Sequence, residues 1–449
     1  MTLEQSPLTP YHTDHLFLLI GSNPLPNYIA ARLLLKPDGK LYLVHSKDGE
    51  QRGTRTSTQN VAEALATLLH ESYQIEASTR IPVDESNADD IYEKVTDALN
   101  ALKARGSVGL HYTGGTKAMA VHAYRAVENF GKSNSQQTVF SYLDAASMSL
   151  SITGSGRSQL APIPLDIWSR VSDGDEPSLS DLVKLHREQF DKTKTEDQVL
   201  IEFAKELAIA CSKPNIAKQW RDWCDRVLRG RSYNRQTKQW ETIGARKAND
   251  QDWQAETKLK QLTLDLPVES ILNELLQNYL GVAAGGKLTL EQARQLVGFE
   301  YCADLCQWLD GEWLEYYVVE CVRQCQQVDN EGRTLHDCLR SVRITGNSTQ
   351  HDFELDVMAM SSYRFFGISC TTGMDMTKLK LFEAIIRGRQ LGGDEARVAI
   401  IAPISPEKAE KYQREVNEDW QLGAPIRVFG FSDLPKLTDK LKPWFLKGA

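Results

Sequence analysis

Residues 107–130, SVGLHYTGGTKAMAVHAYRAVENF, decide the fold of the first third of the chain. A short apolar run from Val108 to His111 leads into the glycine turn Tyr112-Thr113-Gly114-Gly115-Thr116, and from Lys117 onward the spacing is helical. That is a strand, a tight turn and a helix. The same order recurs on the N-terminal side. HLFLLIG (15–21) is a strand ending in glycine, SNPLPNYIAARLLL is a turn and a helix, and KLYLVHS (40–46) is a second strand. VAEALATLLHESY has a helical apolar period, IPVDESNADDIYEKVTDALNAL gives a loop and a helix, and TVFSYLDAASMSLSITG gives two strands joined by a short turn. Alternation of this kind predicts a mostly parallel sheet with helices on both faces.

The chain has 449 residues, which predicts two or three domains. With 41% apolar and 25% charged residues, the composition is that of a globular protein rather than a disordered one. No stretch reaches the roughly 20 consecutive apolar residues of a membrane span, and MTLEQSPLTPYHTDH lacks the basic start and apolar centre of a secretory signal. A cytoplasmic protein with no membrane partner is expected. The 52 basic and 60 acidic residues leave a net charge of −8, which excludes a uniformly basic DNA-coating protein but not a local basic groove. Two cysteine pairs, Cys302/Cys306 and Cys321/Cys325, lie in helical sequence whose neighbours favour small buried groups one turn apart over a zinc site.

From about Leu165 to Gly298 the strand signal nearly vanishes. LSDLVKLHREQF, DQVLIEFAKELAIAC and VESILNELLQNYL carry apolar residues at helical spacing, and Thr289 is placed to start a further helix. Within this stretch, Lys218 to Lys247 holds nine basic and three acidic residues interleaved with Trp220, Trp223, Tyr233 and Trp240. Such a mixture suits single-stranded nucleic acid, but a solvated helix face with the tryptophans packed inward is the preferred reading. The last part returns to α/β: DGEWLEYYVVECVRQC is a long helix, SVRITG, DFELDVMAMSS and RFFGISCTTG are successive strands, KLFEAIIRGRQLGG is a helix closed by glycines, and ARVAIIAPI is a buried strand. Helix, three-strand meander, helix, strand is the layout of a restriction-endonuclease-like core. The expected organisation is therefore α/β, with a Rossmann-like domain over 1–164, a helical region over 165–300 and a restriction-endonuclease-like α/β domain over 301–449.

Two strand-to-helix turns carry the candidate binding chemistry. Gly21, Ser22, Asn23 and Asn27 belong to the first, and Thr113, Gly114, Gly115, Thr116 and Lys117 to the second. Both belong at the carboxyl ends of parallel strands, where open α/β sheets bind ligands. Glycines let the backbone approach an anion, a helix N-terminus offers free N–H groups, and Lys117 adds a positive charge. Neither turn is a dinucleotide fingerprint or a Walker A loop, so the expected ligand is nucleotide-like but neither an ordinary dinucleotide nor ATP. His111 and His122 flank the second turn without a partner set suited to a metal.

GSNPLPN followed later by TGGTKAMA resembles the CRISPR-associated Rossmann-fold (CARF) sensor domain. GEWLEYYV, FELDVMA, GISCTTG and QLGGDEARV resemble segments of the PD-(D/E)xK nuclease domain that often accompanies it. The likeness covers the two ends of the chain and leaves the helical middle unmatched. It implies a homodimer activated by cyclic oligoadenylate, mostly cyclic tetra-adenylate, that cuts single-stranded DNA or RNA with Mn²⁺ or Mg²⁺ in type III CRISPR antiviral defence.

Phosphodiester hydrolysis with a divalent metal requires converging carboxylates. Glu354 and Asp356, two apart on a strand, share one face of the sheet, and Glu315 on the preceding helix is a third candidate metal ligand. The Glu-x-Lys expected on the next strand is absent, because those positions read Ser369-Cys370-Thr371. Lys380 or Lys378, at the start of the following helix, is placed to supply the missing charge, so Asp356, Glu354 and Lys380 form the expected catalytic set. Two alternatives stay open. One is a ligand-binding regulator with a degenerate nuclease domain. The other is a ring nuclease whose N-terminal site cleaves the cyclic nucleotide itself.

Overall fold

The structure is a computed structural model that describes residues 6–47, 57–102, 106–144, 146–154, 162–165, 168, 171–172, 175–229, 231–234, 239–242, 253–267, 269–282, 288–326, 335–346, 353–373, 378–419 and 426–447, except 191–196. The first α/β unit runs β1 (Thr13–Leu19), α1 (Leu25–Leu34), β2 (Leu35–Ser46), α2 (Gln59–Tyr73), β3 (Ala77–Val83), α3 (Ala88–Asn100), β4 (Val108–His111), α4 (Lys117–Asn134), β5 (Thr138–Asp144), β6 (Ser149–Gly154) and β7 (Ile163–Pro164). These strands form one seven-stranded sheet in the order β3-β2-β1-β4-β5-β6-β7. The first five are parallel, β6 pairs antiparallel with β5, and β7 pairs antiparallel with β6. The order reverses between β1 and β4, the point at which such sheets open a crevice beyond their carboxyl ends.

Alternation along β1 shows why the strand is central. Leu16, Leu18 and Ile20 pack with α1 and α2 on one face, and Phe17 and Leu19 pack with α3 and α4 on the other. A strand covered on both faces reads as one continuous apolar run, as HLFLLI does. β3 carries no such run. Its sequence ASTRIPV places an arginine and a proline on the outer strand, where a missing ladder hydrogen bond and a charge are tolerated, so its pattern resembles a loop. Helix starts are chemically marked: Asn87 accepts from Asp89 and Asp90 N–H to cap α3, and Thr116 accepts from Met119 N–H to cap α4.

The middle of the chain is helical, with short ladders: α5 (Leu179–Leu185), β8 (Glu188–Phe190), α6 (Gln198–Cys211), α7 (Pro214–Trp223), β9 (Arg231–Asn234), β10 (Gln239–Thr242), α8 (Glu256–Leu259), β11 (Thr263–Leu264), α9 (Ser270–Leu280), β12 (Leu288–Thr289), α10 (Leu290–Val297) and α11 (Cys302–Gln307). Thr289 starts α10 through a reciprocal bond pair with Gln292. A π-helical turn, Trp308–Glu312, leads into α12 (Trp313–Gln324). The second α/β unit follows as β13 (Leu335–Gly346), β14 (Phe353–Ser361), β15 (Arg364–Cys370), α13 (Lys378–Gly392), β16 (Arg397–Ala402), α14 (Pro406–Arg414), β17 (Ile426–Gly430) and α15 (Leu437–Lys447). Its six-stranded sheet has the order β17-β16-β15-β14-β13-β8, so the middle region contributes the edge strand β8. Among the described residues no helix is long and apolar enough to cross a membrane.

The two sheets are tied by a shared core. Leu355, Met358, Met360, Tyr363 and Phe365 of the second sheet belong to the same buried cluster as α1, α2 and α5. The other face of that sheet, including Val357, Ala359, Phe366 and Ile368, packs on the helical middle. Polar contacts reinforce the seam: Leu179 N–H donates to Asp337 Oδ2 at 2.8 Å, and His336 Nδ1 pairs with Glu176 at 2.9 Å.

Two outcomes follow from the seam. Phe365→Ala removes a fully buried ring from the shared core and should destabilise the chain by about 3–5 kcal/mol. Denaturant unfolding followed by hydrogen exchange should show both sheets losing protection in one transition, and two separate transitions would contradict the shared core. Burial disfavours the charged ring of His336, but Glu176 and the Pro177 carbonyl outweigh it and raise the pKa above 6.5. Stability from this pair is therefore complete below the ordinary histidine value and is lost as pH rises through the raised one. His336→Gln should abolish that slope in melting curves taken across the interval.

Candidate functional site

The turns after β1 and β4 meet backbone to backbone. A Cβ on Gly114 would lie 2.1 Å from the Leu19 carbonyl oxygen, and one on Gly21 would lie 3.0 Å from Gly115 N. Gly115 has φ +74°, in the left-handed region that favours glycine. Asn27 sits beneath them, fully buried, donating from Nδ2 to Leu19 O at 3.0 Å. It braces the crevice floor, whereas Ser22, Gly115 and Lys117 are exposed above it. Thr113 Oγ1 accepts from Leu143 N–H at 2.7 Å and pins the second turn to the end of β5. Thr116 satisfies one of the N–H groups at the α4 N-terminus, and Lys117 opens that helix. A positive helix end and an exposed lysine thus lie together at this turn, an arrangement suited to an anion.

Two aromatic rings beside this opening gave no signal in the sequence. Tyr112 and Tyr142 lie 5.7 Å apart, with Tyr142 exposed on β5, and offer stacking surface for a base. Only their positions on neighbouring strands bring them together. His111 is fully buried beside Ser141 Oγ, and burial lowers its pKa to about 3, so it is a neutral packing residue. His122 Nδ1 lies 3.3 Å from Arg125 Nη1.

The second centre lies where β14, β15 and α13 meet. Asp356 Oδ2 accepts from Cys370 N–H at 2.5 Å and from Ser369 Oγ at 3.1 Å. Burial, and next the charge of Glu354, push the Asp356 carboxyl up to about 6 against the lowering effect of its donors. The Cys370 thiol is pushed well above its ordinary value by burial and then by the charges of Asp356 and Glu315, so both carboxylates bear on the same residue. Glu315, Glu354 and Asp356 are nevertheless not drawn within 4.8 Å of one another; among the described residues the group that tight is Glu256, Glu291 and Cys302. There the Cys302 thiol donates to Glu291 at 3.4 Å, and Arg294 pairs with the same carboxylate at 2.7 Å. The oxygen-rich donor set at Asp356 fits a hard divalent cation, whose charge would relieve the like-charge pair.

Lys380 Nζ donates to Thr371 Oγ1 at 3.0 Å, so a lysine from α13 reaches the strand position where the expected one is missing. The side chain of Lys378 lies outside the described residues. Arg387, further along α13, donates to the Glu354 carbonyl at 2.8 Å. In the basic and aromatic stretch, Trp220 and Trp223 are buried and stacked at 4.9 Å, which assigns them to the core; the side chains of Tyr233 and Trp240 lie outside the described residues.

Removing the freedom of the first crevice should be costly. Gly114→Ala must separate β1 from β4 and should cost about 3 kcal/mol or more, at the upper end for overpacking. Gly21→Ala, with a looser contact, should cost less. Thermal melts of both variants check this order.

No family model matches the chain, and no curated protein matches it. Solved structures do. Protein VC1899 from Vibrio cholerae matches with a TM-score of 0.66 and 18% identity, over 96% of this chain and 97% of that one. Can2 from Sulfobacillus thermosulfidooxidans, solved in complex with cyclic tetra-adenylate, matches with a TM-score of 0.63 and 14% identity, over 96% and 99%. At these identities the likeness is one of fold, and it extends over the whole α/β, helical, α/β arrangement.

Proposed function

We propose that the chain is a homodimeric sensor of cyclic oligoadenylate, specifically the tetra-adenylate ring, whose binding activates a metal-dependent nuclease acting on single-stranded DNA or RNA in type III CRISPR defence. Helix α13 is the observation that carries this. At its end the backbone of Gly393 closes on Asn23 of the first turn, where an added Cβ would lie 2.2 Å from Asn23 Nδ2. At its start Lys380 bonds Thr371 beside Asp356. One rigid element thus touches both the ligand turn and the hydrolytic centre, which is what ligand-controlled cleavage requires. The fold shared with a protein solved around that ring supports the same ligand.

Two copies of the Gly21–Asn23 and Thr113–Lys117 turns, related by a two-fold axis, would face one symmetric ring, with Lys117 and the α4 N-terminus toward its phosphates. In the nuclease centre Asp356, fixed by Cys370 N–H and the Ser369 hydroxyl, presents carboxylate oxygen beside Glu354, and Glu315 approaches from α12. Mn²⁺ or Mg²⁺, when bound, supplies an activated water and charge neutralisation. Lys380, seated at Thr371, stabilises the negative charge that develops on the phosphate. A second reading, a ligand-controlled binding module without cleavage, is favoured by Ser369 in place of the acid and by the spread of the three carboxylates.

Lys117→Ala should weaken binding of cyclic tetra-adenylate by at least about tenfold, since hydrogen bonds to charged groups contribute about 1.5–3 kcal/mol and a dimer loses two. Calorimetry should give one ring per two chains in the wild type. With ring and Mn²⁺ present, Asp356→Ala should abolish cleavage and Lys380→Ala should reduce it about 10²-fold while ring affinity stays unchanged. A wild-type protein that binds the ring without cutting would establish the binding-module reading.

A further inference from the structure

We propose that Arg221, on α7 of the helical middle, is a positioning residue for the nuclease centre, acting through Asp310 and Thr372 on the loop that carries the Asp356 donors; it rests on the nuclease function proposed above. Arg221 and Asp310 are only 6% and 5% exposed, yet both are charged. Arg221 Nη2 meets Asp310 Oδ1 at 2.5 Å, and its Nη1 donates to the Asp310 main-chain carbonyl at 3.2 Å. Arg229 Nη2 pairs with Asp310 Oδ2 at 2.7 Å, and Asp225 accepts from Arg221 Nε at 3.2 Å. Among the described residues, two arginines and two aspartates meet here. Opposed charge keeps the pair ionised against burial: burial disfavours the Asp310 charge, but the arginines outweigh it and lower the pKa.

Buried ion pairs stabilise poorly compared with apolar packing, because desolvation cancels much of their attraction. Their geometry, however, is fixed on both sides, and here it reaches the active loop. Thr372 Oγ1 donates to the same Asp310 carbonyl at 2.8 Å. Gly311, the next residue, lies alongside the same loop, where a Cβ would make ordinary contact with Thr372 Oγ1 at 3.6 Å. Thr372 follows Thr371, the seat of Lys380, and lies two residues after Cys370, whose N–H grips Asp356. Asp310 itself lies in the π-helical turn that launches α12, five residues before Glu315. One buried cluster therefore sets the helix bearing Glu315 and the loop bearing the Asp356 donors and the Lys380 seat. This gives the helical middle, which has no counterpart in the motifs at either end, a defined task.

Thr372→Val, Arg221→Met and Arg221→Lys in the full-length chain test this. Thr372→Val removes one hydroxyl and leaves the ion cluster intact, so it keeps the test decisive even where Arg221→Met fails to fold. Hydrogen exchange without metal or ring should be faster at the amides of residues 369–373 in Thr372→Val, with the melting temperature and the affinity for cyclic tetra-adenylate retained. Calorimetry with Mn²⁺ should show affinity reduced about tenfold, as loss of groups that orient metal ligands typically does. Ring-activated cleavage should fall in kcat with KM for the single strand unchanged, and Arg221→Lys should recover part of what Arg221→Met loses. Unchanged exchange at 369–373 together with unchanged Mn²⁺ affinity in Thr372→Val would overturn the proposal. A wild-type chain that does not cleave would overturn the nuclease function alone, because exchange and Mn²⁺ affinity still decide the positioning role.

Discussion

The turns after β1 and β4 are held main chain against main chain, at the point where the Leu19 carbonyl passes Gly114. No side chain fits there, so β1 and β4 run side by side to their ends and their two turns merge into one floor. Asn27 satisfies the Leu19 carbonyl from below, and the left-handed Gly115 then directs the chain into α4. The helix end, Lys117 and the Asn23 turn all take their positions from that contact. Through Asn23 the same constraint extends to Gly393, and so to the helix that starts at the second centre.

Much of this was legible in the sequence because it is local. A glycine pair between an apolar run and a helical period announces a strand-turn-helix unit whatever lies around it, and HLFLLI announces a strand covered on both faces. β3 escaped detection because an edge strand needs neither apolar alternation nor a full set of ladder donors, and ASTRIPV supplies neither. In the second unit the order of helix, meander, helix and strand was readable, as was the pairing of Glu354 with Asp356 on one face. Counting along the helix places Lys378 and Lys380 within about two turns of the strand end, and only the structure seats Lys380 on Thr371.

What could not be read depends on contacts between distant residues. Arg221 lies 89 positions from Asp310, and nothing in the stretch from Lys218 to Lys247 separates a buried, paired arginine from one that faces solvent or a phosphate. Charge counting treats them alike. The reading in which the tryptophans pack inward is the one that Trp220 and Trp223 follow, stacked in the core. Tyr112 and Tyr142 meet only through the pairing of β4 with β5. Similarly, the shift at Asp356 arises from burial by a sheet whose strands are brought together across the chain.

The shared core under Leu355, Met358, Met360 and Phe365 bears on how this protein can be altered. Proteins joined by a tether can exchange modules, because each part keeps its own dry interior. Here, excising the first unit would leave the apolar side of α1, α2 and α5 wet, and excising the second would strip cover from its sheet. Neither half is a transplantable cartridge. In the proposed sensor, a new ligand preference would therefore be reached by editing the exposed rim, Ser22, Tyr142 and Lys117, where a change in chemistry leaves the seam undisturbed.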